Sequence, residues 1–212
     1  AEHSLEDFYE NIFVPALLLS DEDRHSGTLT EERQRFIFQS SRELIDELER
    51  RDDLARAREP GAPSAAETAR SAPTRPGLPV VLGIPARDEA DEIVSHVLCH
   101  LLRRRQVAAA TSPLATPIED VFKAADRTEV RATFVSALPP SAVGAARQMC
   151  RRLKVRSPGT PVLVGVWQHH ATPDEIESRL HGSVPDEIVT TLAEAVRQIE
   201  ALLGFASEPP PP

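Results

Sequence analysis

The chain has 212 residues, 24 Lys plus Arg against 33 Asp plus Glu for a formal net charge of −9, and 41% apolar residues, which is enough for a core. No run approaches the roughly 18 apolar residues of a membrane span, and no basic stretch followed by an apolar one opens the chain as a secretory signal would. The acidic balance and an aromatic content of 4% argue against a nucleic acid as partner, and two cysteines, Cys99 and Cys150, make no disulfide framework and point to a reducing compartment.

Charge divides the chain. Residues 1–51 carry 6 basic and 13 acidic side chains, a net −7, and residues 52–77 carry 4 of each. In 1–51, Ser4 and Asp7 offer a helix cap, and Leu5, Phe8, Ile12 and Phe13 recur at helical spacing. Pro15 is expected to break or kink that helix before 16–19 continues it. Residues 21–29 are polar and contain Gly27. Thr30 caps a second helix, whose Phe36, Ile37, Leu44, Ile45 and Leu48 keep a 3.6-residue period. The result is a helical hairpin, too small to bury its own apolar stripe, so it must pack on something.

Residues 52–77 hold Pro60, Gly61, Pro63, Pro73 and Pro76 among small and polar residues, and read as a flexible linker into which the second helix runs as far as about 58. Residues 78–206 alternate apolar runs with helical stretches. Strands are expected at 79–85, 107–111, 130–136, 161–167 and 187–190, with helices at 88–105, 116–125, 140–154, from 172, and at 192–203. Val-rich strands separated by helices mean βαβ units. The expected fold is a five-stranded doubly wound parallel, flavodoxin-like α/β sheet preceded by the hairpin. Residues 207–212 form a polyproline tail.

Ligands in such sheets bind at the strand carboxyl ends. Those ends gather Arg87, Ser112, Ser136, Trp167, His169 and His170, a frame suited to a small anion through Arg87. The first turn, Pro85-Ala-Arg-Asp-Glu-Ala90, lacks the glycines of a dinucleotide or phosphate loop. It brings carboxylates to a helix start, where Asp88 and Glu89 suit the dipole. Asp88 as a phosphoacceptor lacks its lysine partner, since Lys123 and Lys154 are the only lysines. Glu92, His96 and His100 stand at i, i+4 and i+8, a spacing able to hold a metal. With Ile93, Val97 and Leu101 packing that helix on the sheet, the polar line should face water or a neighbouring chain. Ser136 has no nucleophile elbow around it, Cys150 beside Met149 reads as buried packing, and no acid/base pair marks an enzyme.

Two resemblances follow. Tyr9-Glu-Asn-Ile-Phe-Val-Pro-Ala-Leu17, Ser26-Gly-Thr-Leu29 and Glu31-Glu-Arg-Gln34, with Arg87-Asp-Glu-Ala-Asp-Glu-Ile-Val94, Val135-Ser-Ala-Leu138 and Val164-Gly-Val166, resemble cobalamin-binding modules, which pair a helical bundle with a flavodoxin-like domain. The family's cobalt-ligating histidine falls at Arg87, and a guanidinium cannot ligate a metal. Its aspartate and glycine are also replaced, and Val166 takes the place of the second fourth-strand glycine. The expectation is no cofactor and no cobalamin binding.

Glu2-His-Ser-Leu-Glu-Asp-Phe-Tyr-Glu10, Val14-Pro-Ala-Leu17, Asp23-Arg-His-Ser-Gly-Thr-Leu29 and Leu163-Val-Gly-Val-Trp167 resemble the C-terminal extension of autoinducer-2-exporter-family (PerM-like) bacterial permeases. That resemblance implies a non-catalytic regulatory or assembly domain on the cytoplasmic face of the inner membrane. Its partner would be the parent membrane domain in the same polypeptide. Homo-oligomerisation is expected too, with Phe8, Phe13, Phe36 and Phe38 exposed on the hairpin. The alternative is a free-standing small-molecule sensor of the cobalamin-binding-like class that has lost the histidine.

Overall fold

The computed structural model describes residues 4–58, 80–167 and 185–204. The Pro-rich part of the linker, a helix beginning at 172, His169 and His170, and the 207–212 tail lie outside these residues.

The first rod opens on a capping box. Ser4 Oγ accepts the Asp7 N–H at 3.0 Å, and the Asp7 carboxylate accepts the Ser4 N–H at 3.2 Å. Helix α1 (Leu5–Phe8) passes into a π-helical turn, Tyr9–Phe13, in which the Val14 N–H reaches back to the Tyr9 carbonyl. Helix α2 (Val14–His25) follows directly, with Pro15 in its first turn. The break expected at Pro15 does not occur. The N–H of a first-turn residue has no carbonyl of its own helix to pair with, so proline gives up little there, and the wide turn before it makes room for the ring. The polar loop expected over 21–29 shrinks as well, because α2 runs on to His25. The turn that follows places Gly27 at φ 75° and is tied by Thr28 Oγ1 donating to the Asp23 carbonyl at 2.9 Å. Helix α3 then runs from Glu31 to Arg58.

Strand β1 (Val81–Pro85) leads to α4 (Glu89–Arg104), β2 (Ala109–Thr111), α5 (Ile118–Ala125), β3 (Ala132–Ala137), α6 (Val143–Arg156), β4 (Val162–Val166), β5 (Glu187–Val189) and α7 (Leu192–Leu203). All pairings are parallel, in the order β2-β1-β3-β4-β5. This is the doubly wound flavodoxin order, with its switch between β1 and β3.

Alternation along the central strands feeds two cores. Phe134 and Leu163 point to the side of α4 and α7, while Val135 and Val164 point to the side of α5 and α6. The hairpin joins the first core. Tyr9, Phe13, Val14, Leu17, Phe38 and Ile45 are buried in one cluster with Ile93, Val97, Leu98, Val196 and Ile199. Each such burial stabilises by about 1.5–3 kcal/mol. Of the four phenylalanines expected at the surface, Phe13 and Phe38 are buried, Phe8 is half-buried and Phe36 alone stands out, 71% exposed. Docking on α4 covers the others.

Candidate functional site

The strand carboxyl ends begin with the turn after β1, where Asp88 caps α4 by accepting the Ala90 N–H. Asp91 is the centre of this edge. It is fully buried, and its carboxylate accepts three backbone N–H groups, from Arg87 (2.9 Å), Asp88 (3.2 Å) and Leu138 (2.7 Å). The last of these ties the β1 turn to the end of β3. Burial first, then the like charge of Asp88, pushes the Asp91 carboxyl up to about 7, against the lowering effect of the three N–H donors.

The other carboxylates of α4 are answered by the hairpin. The Arg24 guanidinium binds Asp88 at 2.8 Å and the buried Asp21 at 2.6 Å. Arg42 binds Glu89 and Glu92, and Glu92 also accepts the Leu114 N–H at 2.9 Å. Between α2, α3 and the start of α4 lies an open cleft of about 380 Å³ lined by Arg24, Gln34, Arg35, Phe38, Asp88 and Glu89. None of its hairpin residues stood out as a site in the sequence. The signal that could have found Arg24 and Arg42 is the run of four acidic residues at 88–92, broken only by Ala90, which needs cations from elsewhere in the chain.

The line Glu92, His96, His100 does not face water. Helix α3 lies over it, because Arg42, Glu49 and Asp52 pair with Glu92, Arg103 and His100. His100 is buried, its Nε2 3.0 Å from Asp52 and its Nδ1 3.0 Å from the Tyr9 hydroxyl. Burial lowers the affinity of both imidazoles for a proton and raises that of the Tyr9 phenolate. Among the described residues no group of three or more His, Cys, Asp or Glu could hold a metal ion.

The four described framing residues, Arg87, Ser112, Ser136 and Trp167, are brought to one edge but engaged there with the protein itself. Arg87 is exposed and donates to the Ser141 carbonyl at 2.9 Å. Ser112 is buried, its N–H donating to the Gly83 carbonyl at 2.8 Å. Trp167, expected on the rim, is 2% exposed, and its indole N–H donates to the fully buried Ser136 hydroxyl at 2.8 Å. The six-membered ring of the indole covers Gly165, where a Cβ would meet it at 2.3 Å. Space above the fourth-strand glycine is thus filled by the chain's own tryptophan. With that space filled, and with Arg87 where the resemblance puts the ligating histidine, these residues do not fit a cobalamin.

No protein-family model matches the chain, and no curated protein matches it. Among solved structures it is similar to a cobalamin-binding protein from Desulfitobacterium hafniense DCB-2. The two are 11% identical, with 90% of this chain and 79% of that one covered and a TM-score of 0.46. Strand order and parallel pairing define this chain as a flavodoxin-like α/β protein with a helical hairpin docked on one side.

Proposed function

We propose that the chain is a non-catalytic regulatory or assembly domain of a bacterial membrane permease, working on the cytoplasmic face of the inner membrane with its parent membrane domain as principal partner. One observation carries the reading: the stretches that resemble the permease extension are the joints of this architecture. Tyr9 reaches His100, and Glu10 accepts the N–H groups of Leu192 (2.7 Å) and Ala193 (3.2 Å) at the start of α7. Val14 and Leu17 are core, 23–29 closes the hairpin, 163–166 lie in β4, and Trp167 just past its end covers Gly165. A resemblance confined to a few surface positions would not fall on such joints. The engagement of Ser136 with Trp167, and of Asp91 with three backbone N–H groups, supports the non-catalytic part. The test is the reading frame upstream of Ala1. Several apolar spans of about 20 residues support the proposal, and a frame encoding none sinks it.

The cleft beside Arg24 and Arg35, with Arg87 nearby on the same edge, favours a second reading as a sensor of a small anion. Thermal-shift screening of nucleotides and organic anions would support it through a hit lost in Arg35→Ala or Arg87→Ala. Silence across the panel counts against it.

A further inference from the structure

Two surfaces on opposite sides of the sheet are complementary in charge, and each carries exposed apolar side chains. Helix α6 carries Arg147, Arg151, Arg152, Lys154 and Arg156 and no acidic residue, in a chain of net charge −9. Lys154 and Arg156 face Asp186, Glu119 and Asp126. Arg147, Arg151 and Arg152 are exposed and make no ion pair with any described residue. Arg151 and Arg152, with Arg156, border a shallow apolar groove of about 290 Å³ whose floor is the buried Phe122 and whose lining includes Val155, 80% exposed. An exposed valine ringed by arginines is a surface with an apolar contact still to make.

The outer face of α2 is its complement. Ile12, in the π-helical turn that leads into α2, and Leu19 stand 55% and 62% exposed, about two turns apart, with the small, exposed Ala16 between them. Exposed Glu22 and Asp23 close the same face. The helix's one arginine, Arg24, is turned inward to Asp21 and Asp88. The outer face therefore presents an apolar stripe with acid and no base beside it.

We propose that the α2 face of one copy seats in the α5–α6 groove of the next. This is helix-in-groove recognition, with Ile12 and Leu19 over Phe122 and Val155, and Glu22 and Asp23 toward Arg151 and Arg152. The surfaces lie on opposite sides of the sheet, so two copies cannot satisfy both contacts at once. The contact is heterologous and builds rings or open runs. It is independent of the permease reading.

The test is the mass of the full chain by sedimentation equilibrium and light scattering from micromolar to millimolar concentration. The expected result is a mass that grows past two copies and falls as salt is raised. Arg151→Glu with Arg152→Glu, and separately Ala16→Lys with Glu22→Lys, should each weaken association by about tenfold or more. All four positions are on the surface, so the fold is not at risk. Mixing the two variants should restore association, since each reversed surface then meets an opposite one. A mass fixed at one copy, growth that stops at two, or association indifferent to both variants overturns the proposal. So does binding of α6 to anionic vesicles without self-association.

Discussion

Asp91 allows a quantitative test of how the strand-end edge is held. Its carboxyl is pushed up to about 7 from 3.8 by burial and by Asp88. Between those two values the folded chain holds one more proton than the unfolded chain. Stability contributed by Asp91 is therefore fully present below about pH 4 and is lost as pH rises to about 7. At about 1.4 kcal/mol per unit the full swing is on the order of 4 kcal/mol. The histidines run the other way. His96 and His100 have lowered affinity for a proton, so their contribution is lost as pH falls through the window just below their ordinary value. Wild type alone would mix the two, and Asp91→Asn separates them because the amide does not titrate. Urea denaturation of both proteins between pH 4.5 and 7.5 is the assay. The stability advantage of wild type over Asp91→Asn should shrink steadily as pH rises. A difference flat across that range refutes the reasoning, and would mean that the three N–H donors outweigh burial and keep the carboxylate ionised throughout.

Tyr9→Phe removes a buried hydroxyl and leaves His100 Nδ1 without its partner, so it should cost about 1–3 kcal/mol in denaturant unfolding. Gly165→Ala places a methyl group against the Trp167 ring; it should cost about 1–3 kcal/mol and change the fluorescence of the single tryptophan. The Cys99 thiol is fully buried and pushed up to about 11 by burial, so a thiol reagent at neutral pH should leave it unmodified until the protein is unfolded. Labelling of native Cys99 would contradict its place in the core.

The βαβ unit was legible because its signals are local. A run such as Val81–Pro85 is apolar throughout, as a strand covered on both faces must be, and a capped helix start follows it. What escaped local reading depends on partners far along the chain. Glu92, His96 and His100 look like a solvated face because polar residues at i, i+4 and i+8 are what a solvated face contains. Only Arg42 and Asp52, brought over by the hairpin, make the line an interior one. Its place at a strand end predicts a rim position for Trp167. Yet Gly165 stands two residues earlier, hence on the same face, and its missing side chain leaves the space the indole fills. A glycine two before a tryptophan at the end of a buried strand was a usable signal. Pro15 misled because a proline reads as a break wherever it falls, whereas here the preceding turn widens and accepts it.

The same particulars explain why the strand-end edge, where this architecture offers a site, is already spent on the protein itself. An anion at the start of a helix is bound by backbone N–H groups that have no helical partner. Here the N–H groups of Arg87 and Asp88, together with that of Leu138 across the switch between β1 and β3, all donate to Asp91. The resident acceptor is a side-chain carboxyl, covalently held and buried. A ligand carboxylate or phosphate would have to displace it while also facing Asp88 and Glu89. Those two are neutralised not by solvent cations but by Arg24 and Arg42 of the hairpin. Internal salt bridges and an internal carboxyl thus take up at this edge the groups that a ligand's charge would otherwise meet. Arginines not drawn into that arrangement, on α6, are on the other side of the sheet. Binding capacity that survives folding is therefore displaced from the crevice to the outer helices, where it suits a macromolecular partner better than a small one.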